Sequence, residues 1–276
     1  MTPPIDAETL HRLLRHEAEV HAIPGRDLRD LGDSLLLCDH VNSEPFWNRL
    51  EALRWPSEPA AFDKRLGEAG ILFASIGRQP HFWVSPPHDV PADLEARLAA
   101  NGFEDVGKGL LMIARDPGPA RAALAAPPAA ETVLERLSGV EGRTDESAEA
   151  IVEVLFDAFG VGAARRDGII AETMASLADP RFMHYLVRRG GEPVAVARRA
   201  TFDGLSYLSS IGTVDRARGL GLGRLVTARA LLDALDAGSE WVHLGVFADN
   251  LPAIALYERL GFVRSGDPGP DMVLVG

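Results

Sequence analysis

Nine residues, Arg216-Ala217-Arg218-Gly219-Leu220-Gly221-Leu222-Gly223-Arg224, constrain this chain more than any others. They follow a strand-like run, 205–214, and lead into a helical pattern over 225–235. Glycines at 219, 221 and 223 let the backbone come close to a bulky group. The first turn of a helix offers N–H groups that have no partner within the helix, at the positive end of the helix dipole. Together these describe an anion site, with Arg218 and Arg224 adding formal charge. A tight strand-to-helix turn that uses glycines for steric reasons alone is the competing explanation.

The residues that follow decide between them. A strand-like run, 241–247, leads to Asn250-Leu251-Pro252-Ala253-Ile254-Ala255-Leu256-Tyr257-Glu258-Arg259-Leu260-Gly261-Phe262. Asn250 is a favourable N-cap, Pro252 fits a first turn, and Gly261 stands where a left-handed C-cap residue belongs. Two helix starts thus flank one strand. A dinucleotide-binding fold also turns through glycines into a helix, but it expects an acidic residue about 20 residues on, at the end of the next strand. Asp233 and Asp236 come too early, inside the helix, and 241–247 holds no acid.

Arg216-x-x-Gly219-x-Gly221, continued as Arg218-Gly219-x-Gly221-x-Gly223, resembles the pyrophosphate loop of the GNAT superfamily of acyl-CoA-dependent N-acetyltransferases. Asn250 through Tyr257 to Gly261-Phe262 resembles that family's second cofactor motif. The resemblance covers about the last half of the chain. It implies an α/β (α+β) fold, a mixed and mostly antiparallel sheet flanked by helices. It also implies acetyl-CoA as co-substrate. Backbone groups of Ile211, Gly212 and Thr213 would hold the pantetheine and acetyl carbonyl, and Arg218, Gly219, Leu220, Gly221, Leu222, Gly223 and Arg224 the pyrophosphate. Asn250 would bond the pantetheine arm.

The resemblance further implies roles in catalysis. Tyr257 lies about two helical turns after Asn250, on the same helix face, and a phenol with an ordinary pKa of about 10 can protonate a departing thiolate. A tyrosine that only packs is the alternative. Protein N-terminal acetyltransferases of the family often carry a glutamate five residues before the asparagine, where this chain has Gly245. His243, two residues earlier on the same strand face, is the candidate base, against a structural histidine or a water chain. The acceptor pocket is expected from residues 156–164, Arg165, Arg166 and the segment His184-Tyr185. Arg165-Arg166 would suit a carboxylate on the acceptor, or is simply a solvated helix start.

Length and charge bound the rest. The chain has 276 residues, enough for two domains with a core in each. A formal charge of −12, with no basic run outside the glycine loop, argues against nucleic acid as partner. No apolar stretch is long enough to span a membrane, and Met1-Thr2-Pro3-Pro4-Ile5-Asp6 lacks the basic and apolar regions of a secretory signal. The expected location is the cytoplasm. The single cysteine, Cys38, excludes an intrachain disulfide and a cysteine-based metal cluster; its apolar run reads as a buried structural thiol.

A proline- and alanine-rich stretch, 117–130, reads as a linker with a short helix near 120–124. It separates 1–116 from an acetyl-CoA-binding domain at 131–276. After it come strand 133–137, helices 148–159 and 169–177, and strands 182–188, 193–200 and 205–214. In the first part, 35–38, 71–75, 81–85 and 110–114 are strand-like, whereas 46–55, 62–66 and 93–100 are helical. The helix exit Asn101-Gly102-Phe103 repeats Leu260-Gly261-Phe262 at an offset of 159 (261 minus 102). Pro91 and Leu98 then stand where Asn250 and Tyr257 stand, and no glycine alternation lies near 57–61. The first part is therefore expected to be a degenerate second GNAT-like domain without a cofactor site, or else an unrelated α/β domain.

The expected activity is direct acetyl transfer from acetyl-CoA to a primary amine on a small molecule. A non-catalytic acyl-CoA sensor and a protein N-acetyltransferase are the alternatives, and a homodimer is compatible with either.

Overall fold

The computed structural model describes residues 5–22, 25–86, 88–126, 128–138, 145–162 and 165–275. Met1 to Pro4, Pro127, Ala163 and Ala164, which entered the expectations above, lie outside the described residues. In chain order the elements are α1 (Ala7–Ala22), β1 (Asp27–Asp30), β2 (Leu35–Cys38), β3 (Arg49–Glu51), α2 (Pro59–Ser75), β4 (His81–Trp83), α3 (Leu94–Ala100) and β5 (Phe103–Ala114). Then come α4 (Gly118–Ala125), β6 (Thr132–Leu137), α5 (Asp145–Phe159), α6 (Arg166–Ala178), β7 (Phe182–Arg189), β8 (Glu192–Phe202) and β9 (Leu205–Thr213). The chain ends with α7 (Leu222–Asp236), β10 (Trp241–Phe247), α8 (Leu251–Arg259), β11 (Val263–Arg264) and β12 (Gly269–Leu274). No helix among the described residues is long and apolar enough to cross a membrane.

Two compact units result, one of residues 1–111, 246–251 and 264–276, the other of 112–245 and 252–263. This division differs from boundaries at 116 and 130. The expected linker belongs to the second unit, where α4 packs on α7. The last strand belongs to the first unit because β12 pairs antiparallel with both β4 and β5.

The first unit has strand order β1-β2-β3-β4-β12-β5, antiparallel throughout except for the parallel pair β3/β4. Its core joins Leu36, Leu50, Trp55, Phe62, Phe73, Phe82, Leu98 and Met272. Cys38 is buried in this core, and desolvation pushes its thiol pKa up, as for a structural thiol. Two expectations fail here. Residues 71–75 are not a strand but the last turns of α2, whose buried Phe62, Ala69 and Phe73 recur at helical spacing, while Ile71 is exposed. Residues 46–55 are not a helix but a short 3-10 turn, Pro45–Trp47, followed by β3. Arg49 and Glu51 of β3 are both buried, so these charges are internal.

The second unit has order β10-β9-β8-β7-β6, with β9/β10 parallel and the other pairs antiparallel. Adjacent residues of a strand point to opposite faces. His184 of β7 bonds Ser176 of α6, and the next residue, Tyr185, bonds Asp233 of α7, so α6 and α7 cover opposite faces of this sheet.

The two units repeat one topology. Helix, two antiparallel strands, a third strand, helix, parallel strand and helix occur as α1-β1-β2-β3-α2-β4-α3 and again as α6-β7-β8-β9-α7-β10-α8. Even a local irregularity recurs. In β9, Ser210 and Ile211 bulge opposite Ala197, since Val196 faces Gly212 and Arg198 faces Ser209. In the first unit Leu35 faces Glu51, while the Arg54 N–H reaches Asp33 O at 2.8 Å, so Ala52 and Leu53 bulge opposite Ser34. Ser210 has φ +51° and Ala52 φ +54°, at an offset of 158 (210 minus 52).

Candidate functional site

The bulge and the glycine loop together build the site. β10 pairs with β9 over Trp241–His243 against Leu205–Tyr207, and the ladder stops there. Beyond it, residues 208–213 of β9 run on with the bulge turned toward β8. The chain then makes a 3-10 turn, Asp215–Ala217, and passes through Gly219 (φ +79°) and Gly221 (φ +77°) into α7. Both glycines occupy the left-handed region that side chains disfavour. Gly221 is the N-cap residue, and no side chain caps the helix. The first intrahelical bond runs from the Leu225 N–H to Gly221 O at 3.0 Å. The N–H groups of the first turn therefore face outward without a capping acceptor.

They open on a cleft of about 660 Å³ lined by Thr213, Ala217, Gly219, Leu220, Gly221, Leu222, Gly223, Arg224, Pro252, Leu256 and Arg259. Two guanidinium groups, Arg224 and Arg259, border it, and neither is paired with a carboxylate among the described residues. In a chain of formal charge −12 this is a locally positive concavity. Arg259 was not foreseen. Its signal is helical spacing, since Pro252, Leu256 and Arg259 form the i, i+4, i+7 stripe that α8 turns to the cleft.

The expected cofactor residues divide by place. Thr213, Gly219, Leu220, Gly221, Leu222, Gly223 and Arg224 line the cleft. Arg218 does not; its guanidinium turns back to Asp215 Oδ1 (2.8 Å), Ala158 O (3.3 Å) and Thr213 O (3.5 Å). Gly212 is needed for packing, because a Cβ there would come within 2.8 Å of Ala158 Cβ on α5. Gly223 is likewise tight, with a Cβ only 3.3 Å from Thr213 Oγ1 and 3.5 Å from Leu256 Cδ1. Ile211 lies on the bulge beside Ser210. Asn250 is exposed immediately ahead of α8, and its N–H donates to Phe247 O at 3.0 Å.

The expected catalytic residues are placed differently. Tyr257 is 7% exposed, packs at 5.9 Å from the Phe262 ring, and is absent from the cleft lining. Burial pushes its pKa up to about 12, so the phenol stays protonated at neutral pH. His243 is fully buried opposite Tyr207, the last ladder pair before β9 and β10 part, with ring centroids 5.0 Å apart. That is the packing of a core histidine, and it takes His243 off the cleft.

The expected acceptor residues are largely committed elsewhere. His184 is buried against Ser176 Oγ at 2.9 Å, and burial, then Arg198, depress its pKa to about 3. Tyr185 is buried with its hydroxyl donating to Asp233 Oδ2 at 3.0 Å. Both are structural. Arg166 pairs with Glu153 Oε1 at 2.7 Å and lies over the Phe156 ring at 5.2 Å, which is the arrangement of a solvated helix start.

Comparison with known proteins adds to this geometry. Residues 148–262 match the family model described as "Acetyltransferase (GNAT) family". Short stretches resemble curated relatives named mycothiol acetyltransferase. One from Paenarthrobacter aurescens (strain TC1) is 46% identical over 54 residues, 20% of this chain and 17% of that protein. Another, from Nocardiopsis dassonvillei, is 48% identical over 52 residues, 19% of this chain and 16% of that protein. The matched stretch thus spans about a sixth of these relatives' own length. Over nearly the whole chain the fold resembles a GCN5-related N-acetyltransferase from Kribbella flavida, with TM-score 0.72, 23% identity and coverage of 96% of this chain and 95% of that one. It also resembles a tandem GNAT protein from the clavulanic acid biosynthesis pathway, with TM-score 0.63, 18% identity and coverage of 98% and 96%. The segment 148–262 thus matches the GNAT acetyltransferase family, and the fold of nearly the whole chain is that of these two neighbours.

Proposed function

We propose that this chain is an acetyl-CoA-dependent N-acetyltransferase acting on a primary amine of a small molecule. The observation that carries this reading is the uncapped, glycine-flanked start of α7, open on a cleft bordered by Arg224 and Arg259. A pyrophosphate fits it on chemical grounds, because outward N–H groups, a helix dipole and two guanidiniums all favour phosphate oxygens. The small-molecule acceptor is supported by the relatives named mycothiol acetyltransferase.

Bound acetyl-CoA would supply an activated thioester. The loop from Gly219 to Arg224 would hold the pyrophosphate, and Ile211 and Thr213 would offer backbone groups along the unpaired side of β9. The acceptor nitrogen must attack as the neutral amine; the C–N bond forms, the C–S bond breaks, nitrogen loses a proton and the sulfur gains one. Tyr257, which follows the cleft-lining Leu256 in α8 and stays protonated at neutral pH, is the donor we assign to that sulfur, although its ring is buried beside the cleft lining rather than part of it. We assign the amine's proton to water, since no carboxylate or histidine among the described residues lines the cleft.

That same lack of an acid or histidine favours one second reading, an acyl-CoA-binding module without turnover. A panel of amines incubated with acetyl-CoA and followed by mass detection separates the two. Acetylated product supports the enzyme; tight binding with no product on any amine supports the module.

A further inference from the structure

In the second unit the helix that follows the bulged strand starts uncapped on a cleft, and the strand runs to the cleft at Thr213. The topological counterparts in the first unit already have acceptors, the side chains of Asp89 and Glu58 and the backbone carbonyl of Val90, all of the same unit. Matching Ala52 to Ser210 places Leu53, Arg54 and Trp55 where Ile211, Gly212 and Thr213 stand. There the residues after β4 fold back along the bulged strand. The Val90 N–H donates to Leu53 O at 2.9 Å, and the Trp55 N–H to Val90 O at 2.9 Å, a short parallel bridge with Arg54. The carboxylate of Asp89, itself 5% exposed, accepts from the Leu53 N–H at 3.0 Å and the Ser85 N–H at 2.7 Å. His88 Nδ1 lies 2.9 Å from Asp89 Oδ1, the same oxygen that accepts from Leu53.

The helix start is closed in the same way. α2 follows β3 as α7 follows β9. Where α7 has a left-handed glycine and no side-chain cap, α2 has Glu58, whose two carboxylate oxygens accept from the Ala60 N–H at 3.0 Å and the Ala61 N–H at 2.7 Å. Pro59 occupies the first helical position and presents no N–H. A carboxylate on a helix start satisfies the same donors and the same dipole as a phosphate.

We propose that the first unit is a self-occupied copy of the cofactor slot, with Asp89 and the Val90 backbone taking the place of the pantetheine and acyl end, and Glu58 that of the pyrophosphate. This rests on the acetyl-CoA reading of the second unit. It makes the first unit a closed scaffold rather than an empty site awaiting a second cofactor. The contacts at Leu53, Trp55, Ala60 and Ala61 satisfy backbone groups whose counterparts in the other unit are, on the acetyl-CoA reading, offered to ligand.

Amide hydrogen exchange of the full chain, with and without saturating acetyl-CoA, tests it. Slow exchange is expected at Leu53, Trp55 and Ser85 in the free protein, unchanged by cofactor, while residues 222–224 slow at least roughly tenfold when it binds. Acetyl-CoA-induced protection at Leu53, Trp55, Ala60 or Ala61 would overturn the proposal, as would exchange at Leu53 in the free protein as fast as in an exposed loop. Absence of protection at 222–224 would count against the acetyl-CoA reading alone, because the free-protein measurement still decides the seal. Asp89→Asn should speed exchange at Leu53 and Ser85 at least roughly tenfold without altering 222–224. If that variant does not fold, Glu58→Gln at the exposed cap should speed exchange at Ala60 and Ala61 and leave the core untouched; no change there would contradict the seal.

Discussion

α2 and α7 start at equivalent points of a repeated topology, yet one start is stoppered and the other bare. Glu58 caps α2 with both carboxylate oxygens, whereas α7 begins at left-handed Gly221 without a side-chain cap. Replacing a good N-cap costs about 0.5–2 kcal/mol, so a bare start is a local sacrifice of stability. It is intelligible if a ligand completes the helix. The comparison teaches that fold repetition and site repetition are separate: strand order, bulge and helix exits recur, while the uncapped, glycine-flanked helix start is found at α7 and not at α2.

The comparison can be broken most directly at Gly221. Valine there would have to adopt φ near +77°, a conformation β-branched residues rarely take, and would crowd the bare helix start. Gly221→Val is expected to abolish the rise in melting temperature that acetyl-CoA gives by binding the folded state. Gly77, the residue with φ +63° just beyond α2, serves as control: Gly77→Ala should cost stability but leave cofactor affinity intact.

The next largest effect concerns Tyr257. Its replacement by phenylalanine is expected to lower turnover by about 10²–10⁴-fold with acetyl-CoA affinity nearly unchanged. A fall smaller than about threefold in steady-state kinetics would reduce Tyr257 to a packing residue like Leu98, its counterpart in the other copy.

Smaller changes are expected at the cleft's cations. Arg224→Met and Arg259→Met should each weaken acetyl-CoA binding by roughly tenfold, in line with a charge-assisted hydrogen bond of about 1.5–3 kcal/mol at a partly solvated site. The loss should shrink as salt is raised, because exposed charges are screened. Isothermal titration at two salt concentrations measures both effects, and an affinity indifferent to both substitutions would remove the arginines from the site.

The smallest effect lies in the scaffold. His184 is neutral in the fold with a pKa of about 3, against about 6.5 when unfolded. A depressed folded pKa means that its contribution to stability is present above pH 6.5 and is lost as pH falls toward 3. His184→Gln should therefore flatten the decline of melting temperature over that window, while leaving a lower plateau at neutral pH through the changed contact with Ser176. An unchanged acid profile would show that His184 is not the group responsible.

Much of the second unit could be read from sequence because its signals are local. The glycine alternation, the Asn250 helix start and the Gly261 exit each act within a few residues, and they found the cleft's floor and the order of its elements. Partners that meet only through tertiary contact were not readable in this way. His184 and Tyr185 looked available until Ser176 and Asp233, from other elements, met them. Arg218 looked like a phosphate ligand by position, but three acceptors of its own unit turn it away. In the first unit the buried charges Arg49 and Glu51 inverted the polarity pattern on which periodicity depends, so a strand was read as a helix.

Calorimetric titration of the full chain with acetyl-CoA tests the central claim most directly, because only the second copy is proposed to hold a site. One acetyl-CoA per chain is expected, lost altogether in Gly221→Val. Two per chain, or one that survives Gly221→Val in a folded protein, would contradict the account.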